Sequence, residues 1–309
     1  MKAVRIHQYG GPEVLVYEEI EQPQIADDEV LIQVYAAGVN PVDWKIREGY
    51  LKNFLHHTLP LTLGWDVSGV VTEVGSQVSQ FQVGDEVYSR PNIERDGAYA
   101  EFIAVKASEV ALKPKSIDHL QAAAVPLVAL TAWQSLFDVA QLSAGQRVLI
   151  HAAAGGVGTF AIQLAKTRGA YVVGTASAQN RDFVLSLGAD EAINYQTTPF
   201  EQAVSEVDVV FDTIGGDVQD RSWQVLKPGG ILVSIVKPPS KEEASAHNCR
   251  GEYVFVQPNA TQLTEIAQLI DTGKMKSIVE TVLPLDQATQ AHQLSQKGRT
   301  RGKIILQVV

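Results

Sequence analysis

The chain has 309 residues, 45% of them apolar and 19% charged, with 35 acidic against 25 basic side chains for a net charge of −10. This is the composition of a folded protein of about two domains; it excludes disordered, collagenous and low-complexity classes, and without a lysine and arginine cluster no nucleic-acid partner is expected. A single cysteine, Cys249, excludes an internal disulfide framework and any cysteine-built zinc site.

Met1-Lys2-Ala3-Val4-Arg5 carries charge where a signal peptide needs an apolar run. The longest apolar stretch, Ala122 to Trp133, is short for a bilayer and contains Pro126. A cytoplasmic protein with no membrane partner is the expectation. Up to about residue 115, short β-branched or alternating runs recur at Lys2–His7, Val14–Glu18, Val30–Ala36, Gly69–Val74, Glu86–Tyr88 and Tyr99–Val105. Turn signals such as Gly10-Gly11-Pro12, Gly75-Ser76 and Gly84-Asp85 separate them, which predicts a compact antiparallel barrel.

Ile117–Val125 then reads as an alanine-rich helix that Pro126 interrupts, and helical periodicity resumes over Ala129–Val139. Beyond Ser143-Ala144-Gly145, strands are predicted at Arg147–Ala152, Tyr171–Ala176, Val207–Asp212, Ile231–Val236 and Glu252–Val256. Helices at Val157–Arg168 and Asn180–Leu187 alternate with them. Strands apolar on both faces, joined by helical crossovers, make a doubly wound parallel α/β sheet. Glu252–Val256 reads as an edge strand apolar on both faces, a liability if left bare, so a homodimer paired through it is expected. Helix Asn259–Thr272, strand Val279–Leu283, helix Asp286–Gln296 and strand Lys303–Val308 complete the chain. That tail is too small for a domain of its own and should return to the first one. The predicted division is residues 1–120 with 275–309, and 121–274.

The chemistry concentrates where strand Arg147–Ala152 runs into Ala153-Ala154-Gly155-Gly156-Val157-Gly158 and then a helix. This is G-x-G-x-x-G with alanine at the first glycine. Gly155 lets backbone approach a pyrophosphate, Gly158 lets the helix pack on its strand, and the helix N-terminus offers N–H groups to the anion. The strand–turn–helix context supports a dinucleotide site. NAD sites place an acid about 20 residues beyond the glycines to hold the ribose 2′-hydroxyl. Here Thr175-Ala176-Ser177 occupies that region and no carboxylate precedes Asp182. Ser177, with Arg181 at a helix start, suits a 2′-phosphate, so the sequence points to NADPH. None of the seven histidines accompanies a G-x-S-x-G nucleophile elbow, which disfavours hydrolysis.

Separate segments in one order carry a family resemblance: Ala37-Gly38-Val39-Asn40-Pro41-Val42-Asp43, Gly64-Trp65-Asp66-Val67-Ser68-Gly69, Val83-Gly84-Asp85-Glu86-Val87, Leu130-Thr131-Ala132, Ala153–Gly158, Leu187-Gly188-Ala189-Asp190, Lys227-Pro228-Gly229-Gly230 and Gly302-Lys303. Over nearly its whole length the chain resembles the zinc-free quinone oxidoreductase branch of the medium-chain dehydrogenase/reductases, which includes the zeta-crystallin-like and enone or alkenal reductases. The resemblance implies a GroES-like β-barrel catalytic domain joined to a Rossmann doubly wound parallel sheet. Zinc-dependent relatives put cysteine where Asn40 stands and His-Glu where Trp65-Asp66 stands, so no metal is expected here.

By the same resemblance, Asn40 and Thr131 border the nicotinamide, with Asn40 donating to the acceptor or holding the ring amide. Tyr50 lies at the pocket mouth as a proton or hydrogen-bond donor. Ser177, a basic residue and Tyr195 hold the 2′-phosphate; relatives carry lysine at or beside position 180, whereas this chain reads Gln179-Asn180-Arg181. Ala154, Gly155, Gly156, Val157 and Thr175 line the cradle, and Ile214, Phe255 and Val256 are cofactor walls. The implied activity is NADPH-dependent hydride transfer to a small quinone or enone. An enoyl-thioester reductase and an NADPH-binding structural or regulatory protein are the alternatives.

Overall fold

In a computed structural model that describes Met1–Val309, internal contacts divide the chain into two units. One comprises Met1–Leu127 with Gln257–Val309, the other Val128–Val256. The first is built on Glu29–Val39, an eleven-residue strand buried at nearly every position. One edge pairs antiparallel with Val67–Val74; the other takes Phe102–Lys106 and then Lys303–Gln307, also antiparallel. The full order is Val279–Pro284, Lys303–Gln307, Glu29–Val39, Val67–Val74, Glu86–Ser89 and Val110–Leu112, with only the first two strands parallel. A small antiparallel sheet of Leu15–Glu19, Lys2–Ile6 and Leu61–Thr62 completes the β-structure. The tail thus returns to this unit as expected, by adding a strand beside Glu29–Val39.

Helix Ala260–Asp271 belongs to the first unit, which moves the division from 275 to 257. Asn259 caps it by accepting the Gln262 N–H at 2.9 Å. Leu263, Ile266, Ala267 and Ile270 form its buried stripe at helical spacing, and it packs on strand Val110–Leu112. The sequence shows the stripe but not the surface it covers. At the other boundary the helical run breaks before Pro126 as expected: helix His119–Ala122 ends, and Pro126 opens the next, Pro126–Trp133, which continues into a π-helical stretch, Gln134–Val139. The run His119–Val139 is long and apolar enough to cross a bilayer, contrary to the expectation from Ala122–Trp133 alone, and 78% of its most apolar window is buried inside the protein.

The second unit holds six parallel strands in the order Glu191–Asn194, Tyr171–Ala176, Arg147–Ile150, Val207–Asp212, Leu226–Ser234, Arg250–Tyr253. Counted along the chain this is 3-2-1-4-5-6, so the winding reverses between Arg147–Ile150 and Val207–Asp212. Leu149, Val173, Val210, Leu232 and Trp223 lie in its core. Strand Glu191–Asn194 and the helices Gly216–Ser222 and Lys241–Ala246 have no counterpart in the sequence reading. The last strand does lie at the sheet edge, but it is Arg250–Tyr253 rather than Glu252–Val256. Its residues are mostly exposed, while Val254 and Val256 are buried beyond its end. The edge is therefore polar, not apolar on both faces.

Candidate functional site

In an open parallel sheet, ligands bind beyond the carboxyl ends of the strands where the winding reverses. There the chain leaves Ile150 through His151 and Ala152 and reaches Gly155, the N-cap of helix Gly156–Thr167. No side chain caps this helix, so the N–H groups of its first turn face outward without intrahelical partners. A Cβ on Gly155 would meet only the Ala152 carbonyl, at 3.3 Å, leaving room above the turn. One on Gly158 would lie 2.5 Å from the Ala152 oxygen and 2.7 Å from Ala153 Cα, so this glycine sets how closely the helix approaches its strand. Ala154 is buried beside them, with Gly156 and Val157 half-buried.

The neighbouring strands bring further candidate residues together. Ala176 pairs with Asn194, so Ser177 and Tyr195 leave adjacent strands side by side. The Ser177 hydroxyl is buried and has no hydrogen-bond partner in the chain. Asn180 folds back through its N–H to the Ser177 carbonyl at 3.0 Å. Arg181 starts the next helix with a side chain 56% exposed, its only ion pair being with exposed Asp182 at 3.6 Å. Tyr195 is exposed. An orphaned hydroxyl flanked by a lightly paired guanidinium is a donor set for a phosphate, and with the open glycine turn these residues fit a dinucleotide.

Other expected cofactor residues are occupied differently. Thr175 Oγ1 accepts the Ala152 N–H at 3.2 Å and lies 3.2 Å from His151 Nδ1; it braces the turn rather than facing a ligand. His151 completes its bonding with Ser222 at 3.0 Å, and burial pushes it down to about 4, so it is a neutral core histidine. Asp212, which the sequence reading passed over, is the hub of this end of the sheet. It accepts the N–H groups of Ile214 and Gly215 at 2.9 and 2.8 Å, the Gln219 amide at 2.9 Å and the Ser234 hydroxyl at 2.8 Å. It thereby fixes the turn that carries Ile214, which is exposed. Thr131 and Val256 are buried and Phe255 is half-buried.

In the first unit, three segments distant in sequence meet in a buried cluster. Asn40 is fully buried; its Nδ2 donates to Asp66 Oδ2 at 2.8 Å, and its Oδ1 accepts from Lys303 Nζ at 2.5 Å. Lys303 also donates to Asp66 Oδ2 at 3.0 Å and to the Val39 carbonyl at 2.9 Å. Asp66 Oδ1 accepts the Leu127 N–H at 2.6 Å. The approach depends on Gly38, where a Cβ would fall 2.9 Å from Asp66 Oδ2. Burial pushes the Asp66 carboxyl up against the pull of Lys303, Asn40 and Leu127. Either role expected of Asn40 must therefore use its second Nδ2 proton.

Around this centre, Asp43 Oδ2 accepts the Asn40 N–H and the Tyr99 hydroxyl, both at 2.8 Å, while Oδ1 has no partner. Burial raises Asp43 to about 7, with the Asn40 and Tyr99 hydrogen bonds and Lys303 opposing. Arg90 is buried with its Nε unpartnered, and burial pushes it down to about 10 against the fields of Asp66 and Glu109. Lys303 entered the sequence reading only as part of a motif, and Arg90 not at all. Tyr50 is 68% exposed, its ring edge-on to Trp44 at 6.1 Å. Its hydroxyl bonds Glu48, which raises it above the ordinary phenol range and makes it a weaker acid.

The cluster also answers the question of a metal. Asp66 is the one carboxylate at the positions where zinc-dependent relatives hold ligands, and both its oxygens are engaged, one by an ammonium. No group of three or more histidine, cysteine, aspartate or glutamate residues comes together to hold a metal ion. A dication beside Lys303 would meet repulsion in place of ligands, so these residues do not fit zinc.

Comparison with known proteins adds the following. Residues 26–115 match the family model described as Alcohol dehydrogenase GroES-like domain, and residues 187–306 match that described as Zinc-binding dehydrogenase. The chain is 36% identical to the mouse protein named NAD(P)H oxidoreductase RTN4IP1, mitochondrial, over 100% of this chain and 89% of that one. It is 38% identical to the NADPH-dependent alkenal/one oxidoreductase, chloroplastic, of Arabidopsis thaliana, over 99% of this chain and 79% of that one. A solved structure, the quinone oxidoreductase from Coxiella burnetii, superposes with a TM-score of 0.93 at 36% identity, covering 100% of this chain and 99% of the other.

Proposed function

The chain belongs to the medium-chain dehydrogenase/reductase family, in its quinone oxidoreductase branch, and on that premise we propose that it reduces quinones or α,β-unsaturated carbonyls with NADPH and without a metal. Its coarser activity, oxidoreduction with a nicotinamide cofactor, comes with the family. The observation that carries the choice of NADPH is the buried, unpartnered Ser177 hydroxyl at the end of a strand that offers no acid to a ribose.

Bound at the glycine turn, the cofactor would supply a hydride. The chain's own residues do the rest. The first-turn N–H groups of helix Gly156–Thr167 take the pyrophosphate, and Ser177, Asn180, Arg181 and Tyr195 surround the 2′-phosphate. With no metal to polarise a carbonyl, the acceptor must already be electrophilic, as conjugated carbonyls and quinones are. Charge then develops on an oxygen, and in this reading the remaining Asn40 N–H donates to it. Tyr50, whose one proton goes to Glu48, is neither the proton source nor a donor to the acceptor in this reading, and the proton that completes the reduction comes from solvent. The proposed assembly is a homodimer; with an apolar edge overturned, its support is the row of unpaired backbone groups that the Arg250–Tyr253 edge strand offers to a second copy.

The test is NADPH oxidation followed in parallel against quinones, alkenals, enones and enoyl thioesters, with NADH as the control cofactor. Turnover of quinones or enones with NADPH is expected. Turnover confined to enoyl thioesters would replace the substrate class, and equal affinity for NADH and NADPH would overturn the cofactor.

A further inference from the structure

We infer that Lys303 is a positioning residue: together with Asp66 it locks the Asn40 amide so that a single N–H remains to donate. The inference rests on the placement of Asn40 at the acceptor in the proposed reaction. It follows from which groups can only donate and which can only accept. An ammonium has three donors and no acceptor, so the Asn40 atom facing Lys303 must be the oxygen. A carboxylate only accepts, so the atom facing Asp66 must be the nitrogen. An amide flip would set nitrogen against ammonium and oxygen against carboxylate, two repulsive contacts in a site that water barely reaches, since Asn40 and Asp66 are fully buried and Lys303 is 3% exposed.

Lys303 itself has nothing left for a substrate. Its three N–H groups go to the Val39 carbonyl, Asn40 Oδ1 and Asp66 Oδ2. It acts through Asn40, and the consequence is a restriction on the acceptor. With Oδ1 turned to the ammonium and one Nδ2 proton to Asp66, the one group Asn40 has left to donate is its second N–H, which suits a carbonyl or quinone oxygen.

A double-mutant cycle tests this. Asn40→Ala is expected to lower kcat roughly 2- to 13-fold, the worth of one hydrogen bond, with NADPH affinity unchanged. Lys303→Met should lower kcat by a similar factor, and the double variant should be no slower than Asn40→Ala alone. If the two losses multiply, Lys303 does not act through Asn40 and the inference falls, while the proposed function stands. Wild-type turnover in Asn40→Ala would instead remove Asn40 from the reaction, and the inference with it. If Lys303→Met does not fold, the wild-type protein carries the test. In the wild-type protein, amide NMR should show the Asn40 Nδ2 protons, identified by their loss in Asn40→Ala, with the one facing Asp66 well downfield of free side-chain amides. Ordinary free-amide shifts for both protons would overturn the lock.

Discussion

Two polar clusters, one in each unit, treat their central groups in opposite ways. Around Asp66 they close on one another: every proton of Lys303 and both oxygens of Asp66 have partners inside the chain. At the carboxyl ends of the parallel strands, Asp212, Thr175 and His151 are satisfied, yet the buried Ser177 hydroxyl and the first turn of helix Gly156–Thr167 are left without side-chain partners. A closed cluster contributes orientation; an open one contributes affinity, because its donors regain on binding what they lost on burial. The first unit should accordingly be sensitive to mutation in its stability, and the second in its choice of cofactor.

The largest effect expected is from breaking the closed cluster. Asp66→Ala leaves Lys303 and Arg90 buried without their carboxylate, and removing one partner of a buried pair costs about 3–5 kcal/mol. Denaturant titration of the variant measures it, and a loss below about 1 kcal/mol would show that the cluster is not closed. Next comes the open site. Ser177→Ala should weaken NADPH about tenfold, consistent with one bond to a charged group, and leave NADH unchanged. Because the free protein loses only an unsatisfied hydroxyl, its stability should hold or rise by about 1 kcal/mol. A clear destabilisation would mean that Ser177 has a structural partner and the contrast fails. Arg181→Ala should weaken NADPH by a comparable factor without touching stability, since its side chain is already half in solvent.

Acid and base sharpen the comparison further. Asp43 has its folded pKa raised from 3.8 to about 7, so its contribution is complete below the unfolded value and is lost as pH rises through about 7. His151 in the second unit is lowered from 6.5 to about 4, so its contribution is complete above the unfolded value and is lost as pH falls through about 4. Asp43→Asn should therefore gain on the wild type in thermal midpoint as pH goes from about 5 to about 8, whereas His151→Gln should gain as pH falls toward about 4. Parallel midpoint curves would remove both groups from the pH response. The smallest effect belongs to Tyr50→Phe. An exposed hydroxyl already bonded to Glu48 should change kcat by no more than about twofold, and a tenfold loss would restore it as the proton donor.

What the sequence makes visible follows the same division. The glycine turn, its flanking strand and helix, and Ser177 with Arg181 are contiguous or nearly so, and local pattern suffices to find them. Asn40, Asp66 and Lys303 are not local: Lys303 reaches Asp66 across 237 residues and Asn40 across 263. The sequence reading had all three in separate motifs, but no periodicity says that they touch. Short elements escape for another reason. Helix Gly216–Ser222 begins behind two glycines of positive φ and is too brief to show a period, and strand Glu191–Asn194 is only four residues long. The Ala260–Asp271 helix was legible as a helix, but its allegiance depends on strand Val110–Leu112, which was not read as a strand.

One consequence of the division at residues 127 and 257 concerns synthesis rather than chemistry. The second unit is a single stretch, Val128–Val256, and every strand of its sheet is available once that stretch has emerged. The first unit is interrupted: strand Glu29–Val39 is made early, but its partner Lys303–Gln307 arrives only after the whole inserted unit has been translated. Domains tend to fold in the order they are made; here the later one can finish first. Until Lys303 appears, Asp66 lacks its direct ion pair and has only the field of Arg90 to offset burial, which favours keeping that carboxylate in water and the barrel ajar. The last strand is the latch, and a ribosome stalled before it should hold a folded second unit beside a protease-sensitive first one.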